Sequence, residues 1–98
     1  MTINKNVNGE VLTISIEGRL DTTTAPQLET ELKKSLDGIK TLVLDIAALE
    51  YISSAGLRVL LSAQKVMNKQ GEMTIKGANE AIMEIFEVTG FVDILNIE

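Results

Sequence analysis

The sequence predicts a single α/β domain in which a mixed, mostly parallel sheet is opened by an antiparallel hairpin and the helices lie mainly on one face. Strand-like and helix-like hydrophobic periods alternate along the chain, Asn8-Gly9 joins the first two strands, and several strands alternate apolar with polar residues. Alternating strands and helices imply right-handed crossovers, so the chain is expected to wind as a βα superhelix. The polar strand positions indicate that the other face of the sheet is partly exposed.

Length and composition fit one domain over residues 1–98 and exclude several classes of function. Hydrophobic residues make up 45% and charged residues 23% of the chain, which is the balance of a folded protein with one core. The net charge of −5 argues against direct binding of nucleic acid. The chain has no Cys and no His, which excludes disulfides, Cys/His zinc sites and Ser-His-Asp triads. No metal site and no cofactor is expected.

The sequence also bears on where the protein works. Its first residues are polar and do not resemble a signal peptide. No apolar run is long enough to cross a bilayer. We therefore expect a cytoplasmic protein that does not insert into membranes.

The first half of the chain is expected to form a hairpin and then a helix. The Asn8-Gly9 pair tolerates the positive φ angles of a type I′ turn between two strands. Thr24 and Gln27 have the spacing of a capping box, and Pro26 falls in the first turn of the helix that follows. The predicted limits are strands at Ile3–Val7 and Glu10–Glu17, a loop at 18–24, and a helix that contains Leu28, Leu32 and Leu36, with Gly38 suited to the C′ position just after its end.

The second half is expected to alternate three strands with two helices. A polar stripe follows one side of the first of these helices, and Asn79 and Gly90 are expected to cap the two ends of the second. The stripe consists of Ser54, Arg58, Ser62, Lys65 and Lys69. The predicted limits are a strand at Thr41–Ile46, a helix from about Ser54 to Asn68, a strand at Glu72–Lys76, a helix after Asn79 and a last short strand at Ile94–Ile97.

Two adjacent serines and a glycine stand where a strand passes into a helix, at Ser53, Ser54 and Gly56. The first N–H groups of a helix lack a carbonyl four residues behind them, and the helix dipole adds partial positive charge there. A serine hydroxyl at this point either caps the helix or carries a phosphate that the same N–H groups would stabilise. Capping is the commoner use of serine, and the pattern alone leaves both interpretations open.

Three loops are expected to meet at one edge of the sheet, because loops that leave the carboxyl ends of parallel strands lie together. They contain Asp21, the Ser53-Ser54 pair and Gly77–Asn79. This edge offers an acid, hydroxyls and an amide but no histidine. We therefore expect that another protein modifies this edge, rather than that the edge catalyses a reaction itself. Asp21 has a structural alternative, which is to accept hydrogen bonds from nearby backbone N–H groups.

Three motifs resemble those of a known family. The stretch Tyr51–Leu57 resembles the signature of STAS-domain anti-sigma factor antagonists, which usually reads Asp-Ser-Ser-Gly-Leu or Asp-Ser-Thr-Gly-Leu. Gly18–Asp21 resembles the Gly-x-Leu-Asp motif that precedes the first helix of that family, and Ile85–Phe91 resembles the end of its last helix. The resemblance covers nearly the whole chain.

The resemblance implies a phosphorylation-controlled binding module that is not an enzyme. It places the phosphorylated serine at Ser54 and a partner-binding acid at Asp21, while Ser53 replaces the usual aspartate and becomes a secondary phosphorylation candidate. The unmodified domain would bind an anti-sigma factor serine kinase and free a sigma factor, thereby regulating transcription, and a PP2C-type serine phosphatase would be a further partner. The implied partner-binding residues are Asp21, Thr22, Ser53, Ser54, Gly56 and Arg58.

Alternatives remain open for the whole domain and for single residues. The domain could instead be a STAS-type regulatory subunit of a transporter or signalling complex that is not phosphorylated. An esterase or transferase using Ser54 is disfavoured because the chain has no histidine to act as a base. Arg58 could pair with a phosphate on Ser54 or be an ordinary solvated charge, and Gly56 could allow close approach of a partner or tight packing of the helix.

Overall fold

The computed structural model describes residues 1–98 and has the predicted fold class. The four strands form one sheet in the order β1-β2-β3-β4, in which β1 is antiparallel to β2 and the remaining pairs are parallel. The strands are β1 (Thr2–Asn8), β2 (Val11–Leu20), β3 (Thr41–Ile52) and β4 (Glu72–Lys76), and the helices are α1 (Ala25–Ser35), α2 (Ser54–Gln70) and α3 (Glu80–Thr89).

A single hydrophobic core holds the sheet against the helices. Apolar residues at alternate positions of the strands are buried, as the period-two patterns predict, and each helix adds buried residues from one side. The polar stripe on α2 is exposed along its length, which confirms the predicted orientation of that helix. The N-terminal turn of α2 therefore packs on the core with one side and faces solvent with the other.

Strands β2 and β3 run further than their hydrophobic alternation predicts. Residues 18–20, predicted as loop, belong to β2, and β3 continues six residues past Ile46. Two bulges allow this, because β3 has one extra residue between Asp45 and Ala48 and another at Glu50. Burial in β3 therefore changes from every second residue to every third, at Ile46, Leu49 and Ile52, and the prediction of a strand ending at Ile46 was wrong.

The helix termini agree with the sequence patterns except at α1. Asn79 accepts a hydrogen bond from the Ile82 N–H at 2.9 Å, and Gly90 adopts the left-handed conformation at the end of α3, so both predicted caps are confirmed. The Thr24 side chain makes no capping hydrogen bond to α1, so the predicted capping box is wrong. Its hydroxyl instead donates to the Arg19 carbonyl at 2.8 Å and so turns back toward β2.

The predicted last strand at Ile94–Ile97 is reduced to one bridge with β4. A short 3-10 turn spans Phe91–Asp93. It is extended by the N–H groups of Ile94 and Leu95, which both donate to the Phe91 carbonyl. Only residues 96–98 remain to pair, and Ile97 bridges to Ile75 in the parallel direction. A longer strand is prevented because the N–H groups of Ile94 and Leu95 are already hydrogen-bonded within the turn.

Candidate functional site

The two adjacent serines have different structural roles. Ser53 is the N-cap of α2, and its half-buried hydroxyl accepts a hydrogen bond from the Gly56 N–H at 3.4 Å. Ser54 is the first residue inside the helix, its side chain is exposed, and its hydroxyl makes no hydrogen bond within the chain. One serine therefore completes the helix terminus, and the other presents a free hydroxyl beside it.

The ends of β2 and β3 bring Asp21 next to this terminus. The Ser53 N–H donates to the Leu20 carbonyl at 2.9 Å, and Leu20 pairs with Ile52 in the sheet register. Asp21 and Ser53 are thus the next residues on two hydrogen-bonded strands. The predicted meeting of the first two loops is confirmed by this register.

The Asp21 carboxylate organises the loop between β2 and α1. Its Oδ1 accepts from the Thr23 hydroxyl at 2.7 Å, from the N–H groups of Thr23 and Thr24 at 3.0 and 3.1 Å, and from the Thr24 hydroxyl at 3.2 Å. These hydrogen bonds, above all the one from the Thr23 hydroxyl, hold the pKa of Asp21 below its ordinary value of 3.8. The local capping role considered for Asp21 is present, and it keeps a negative charge at this edge.

The third loop does not reach the other two. Strand β4 ends at Lys76, opposite Asp45, whereas β3 continues to Ile52. The loop after β4 lies beside the middle of β3, where the Asn79 side-chain amide donates to the Leu49 carbonyl at 3.1 Å. Leu49 precedes Ser53 by four residues, or roughly 13 Å of extended strand. The expectation that Gly77–Asn79 joins the edge is therefore wrong, because the extension of β3 carries Ser53 past it.

Gly56 is buried beneath the first turn of α2. A Cβ atom at this position would lie 2.8 Å from Cγ1 of Ile52 and 2.8 Å from Cγ of Leu20. The glycine therefore allows the helix to sit directly on the ends of β2 and β3. Of the two interpretations considered for Gly56, the geometry supports tight packing.

Arg58 and Thr22 border a shallow hollow between α1 and α2. Its volume is about 300 Å³, and its lining includes Pro26 and Ala55 as well as these two residues. Arg58 is exposed, lies one helical turn beyond Ser54 and makes no ion pair within the chain. The Arg58 guanidinium is thus available to a group outside the fold or to one added at Ser54.

Two further residues at this edge were not among the predicted site residues. Arg19 and Tyr51 face each other on β2 and β3, and the Arg19 guanidinium carbon lies 4.3 Å from the centre of the Tyr51 ring. Arg19 had been predicted to lie in a loop. The sequence pointed to Tyr51, because it is the only aromatic residue of the stretch Tyr51–Leu57. The sequence did not identify Arg19 as its partner, because that pairing depends on the bulged register.

The chain has neither a cluster suited to a metal nor a helix suited to a bilayer. No three His, Cys, Asp or Glu side chains are grouped so that they could hold a metal ion. No helix combines the length and the apolar character needed to span a membrane. What the edge offers chemically is a free hydroxyl, a fixed carboxylate and two exposed guanidinium groups.

Comparison with known proteins finds similar sequences. A family model described as the STAS domain matches residues 2–98. A Bordetella bronchiseptica protein named "Putative anti-sigma factor antagonist BtrV" is 39% identical over 89 residues, which cover 89% of this chain and 77% of that protein. The similarity therefore extends over most of both proteins.

Solved structures are similar in fold. The crystal structure of an anti-sigma factor antagonist from Mycobacterium paratuberculosis has a TM-score of 0.88 and 25% identity, over 98% of this chain and 83% of that one. The anti-sigma factor antagonist SpoIIAA in its unphosphorylated form has a TM-score of 0.79 and 14% identity, over 99% and 87% of the two chains. The phosphorylated form of the Bacillus SpoIIAA has a TM-score of 0.77 and 15% identity, over 99% and 91%.

Substituting Gly56 by alanine is expected to destabilise the domain. The added methyl group would overlap Leu20 and Ile52 in the core, and such overpacking costs about 1 to 3 kcal/mol. Alanine gains at most about 1 kcal/mol of helix propensity over glycine. Urea unfolding should show a net loss for Gly56→Ala, with Ser62→Ala on the exposed side of α2 as the control. A Gly56→Ala protein as stable as wild type would contradict the packing role.

The charge of Asp21 is expected to make stability depend on pH. Its pKa in the folded state lies below the ordinary value of 3.8, so its stabilising contribution is present above that value and disappears as pH falls through the lower folded pKa. Urea unfolding from pH 2 to pH 7 should therefore show wild type more stable than Asp21→Asn at neutral pH, with the difference shrinking below about pH 4. A difference that stays constant over this range would show that the charge is not involved.

Proposed function

This chain belongs to the STAS domain family, and from that premise we propose that it is an anti-sigma factor antagonist controlled by phosphorylation of Ser54. In this proposal the unmodified domain binds a serine-kinase anti-sigma factor and releases a sigma factor, and the phosphorylated domain loses that binding. The observation that carries the proposal is the exposed, uncommitted hydroxyl of Ser54 at the start of α2. The domain is a binding module without catalytic activity of its own.

The different roles of the two serines favour Ser54 over Ser53 as the modified residue. A kinase must bring the hydroxyl to its own catalytic groups, and the exposed Ser54 side chain can be reached without disturbing the fold. Phosphorylating Ser53 would remove the cap that its hydroxyl provides to the Gly56 N–H. Ser53 is therefore the secondary candidate, and it stands where the signature that this stretch resembles has an aspartate.

Electrostatics supports a switch that releases the partner. A phosphate on Ser54 would add about −1.5 to −2 charges at neutral pH. It would stand close to the ionised Asp21 in a protein whose net charge is already −5. An interface packed around a neutral hydroxyl would then have to bury an unpaired charge, at a cost of several kcal/mol, or roughly more than a hundredfold in affinity.

The free phosphorylated domain would tolerate the same charge. The N-terminus of α2 should stabilise a phosphate on its first residue by about 0.3 to 1 kcal/mol. Arg58, one turn further along the helix, is exposed and has no partner within the chain. The fold of this chain is also about equally similar to the two forms of SpoIIAA, so a phosphorylated member retains this architecture. Phosphorylation is thus expected to block docking without unfolding the domain.

Incubation with the host's anti-sigma factor kinase and ATP is expected to add one phosphate to the domain. Mass spectrometry should locate it on Ser54, and Ser54→Ala should abolish it because that hydroxyl is the exposed one. Ser53→Ala is the matched control and should still be phosphorylated, while losing about 1 kcal/mol of stability with the cap.

Two results would count against this assignment. Labelling of Ser54→Ala at Ser53 would move the phosphorylation site by one residue. No labelling of either serine would support the alternative of a regulatory subunit that is not phosphorylated.

Adding a negative charge at residue 54 is expected to weaken binding to the anti-sigma factor. Calorimetry should give similar affinities for wild type and Ser54→Ala, and a clearly weaker affinity for Ser54→Glu, because the carboxylate imitates part of the phosphate charge. Ser62→Glu is the matched control, since Ser62 is an exposed serine two turns further along α2. Equal weakening by Ser54→Glu and Ser62→Glu would contradict a switch located at the helix terminus.

A further inference from the structure

The edge that carries Ser54 has an exposed pair of side chains to which the proposed switch assigns no role. Arg19 and Tyr51 lie directly opposite each other at the ends of β2 and β3, and the guanidinium carbon of Arg19 is 4.3 Å from the centre of the Tyr51 ring. The Arg19 side chain is 60% exposed, and Tyr51 is 38% exposed. A stacked cation and ring are thus held at the surface, with Arg19 two residues before Asp21 and Tyr51 two residues before Ser53.

We propose that Arg19 and Tyr51 together form an anchor that selects an anti-sigma factor presenting a carboxylate side chain at this edge. The inference rests on the proposed function, because it names a specificity determinant of the same docking surface. Arg and Tyr are, with Trp, the residue types enriched among those that dominate binding energy at protein interfaces. Here each restricts the motion of the other before any partner arrives, which lowers the entropy lost on binding.

The backbone is arranged so that the pair forms. Gly18 pairs with Leu49, but the next pair is Arg19 with Tyr51, because Glu50 is bulged out of the register. Without this bulge, Glu50 would stand opposite Arg19. Bulges commonly re-aim side chains next to functional sites, and this one exchanges an acid for an aromatic ring as the neighbour of Arg19.

The chemistry of Arg19 points to a carboxylate as the group it receives. Stacking uses the face of the guanidinium and leaves the N–H groups along its edge free. Within the chain Arg19 forms an exposed ion pair with Asp21, whose Oδ2 lies 3.8 Å from Nε. This distance is too long for a hydrogen bond, and an exposed pair of this kind contributes little. Arg19 donates no side-chain hydrogen bond within the chain, so its planar fork is available to a carboxylate in the two-point geometry that arginine favours.

Charge reversal at Arg19 tests the proposal in the full chain. Arg19→Glu is expected to raise the dissociation constant for the host anti-sigma factor about tenfold or more, mainly through repulsion of the partner's acid. Lys34→Glu makes the same charge change at an exposed lysine in the last turn of α1 and should alter affinity less than about twofold. Thermal unfolding of both variants should show cooperative transitions, as expected for folded proteins.

Substitutions at Tyr51 test whether the aromatic ring that stacks on Arg19 is required, or whether any apolar side chain at this position is sufficient. Tyr51→Leu keeps an apolar side chain but removes the ring, and it should weaken binding several-fold. Tyr51→Phe retains the ring and should bind like wild type. A Glu→Lys or Asp→Lys substitution in the anti-sigma factor that restores binding to Arg19→Glu would identify the partner's carboxylate.

The outcomes distinguish this inference from the function on which it rests. If wild type binds the anti-sigma factor and Arg19→Glu binds no more weakly than Lys34→Glu, the anchor is refuted and the proposed function stands. If wild type itself does not bind, the proposed function fails and the anchor fails with it. Selective weakening by Arg19→Glu and by Tyr51→Leu, with Tyr51→Phe unaffected, supports the stacked pair as the determinant.

Discussion

The candidate site depends on β2 and β3 remaining paired after their simple alternation has ended. Two bulges in β3 let its pairing with β2 continue past the register shifts while Ile46, Leu49 and Ile52 remain buried in the core. The last link of this pairing is the hydrogen bond from the Ser53 N–H to the Leu20 carbonyl. This hydrogen bond fixes where along the ends of β2 and β3 helix α2 begins. It thereby also fixes where Ser54, the first residue of α2, is exposed to solvent.

The polar groups at this edge divide into those that complete the backbone and those that remain available. Asp21 and Ser53 accept hydrogen bonds from N–H groups at the starts of two helices, as buried or half-buried polar groups must. Ser54, Arg19 and Arg58 are exposed, and their side chains donate no hydrogen bonds within the chain, although Arg19 stacks on Tyr51 and forms an ion pair with Asp21. The hydrogen bonds of the first group connect the backbone of the two helix starts, and the second group is displayed on that backbone.

Much of this arrangement could be predicted from local patterns. The serine pair at the start of α2, the caps at Asn79 and Gly90 and the limits Glu72–Lys76 of β4 follow from periodicity and from residue types with strong positional preferences. The capping box at Thr24 failed because the charged carboxylate of Asp21 accepts from the Thr24 N–H, for which Gln27 would have been the acceptor. The Thr24 hydroxyl donates to the Arg19 carbonyl instead of capping α1.

By itself the sequence determined the fold class, the order of the four strands and three helices up to Thr89, and the serine pair where a strand meets a helix. These features depend on the period and caps of each segment alone. The tertiary structure decided which serine caps and which is free, that the loop after β4 stays away, and that Arg19 stacks on Tyr51. These outcomes depend on the register between neighbouring strands. A bulge is chosen by what the adjacent strand and the core can accommodate, which a single segment does not encode.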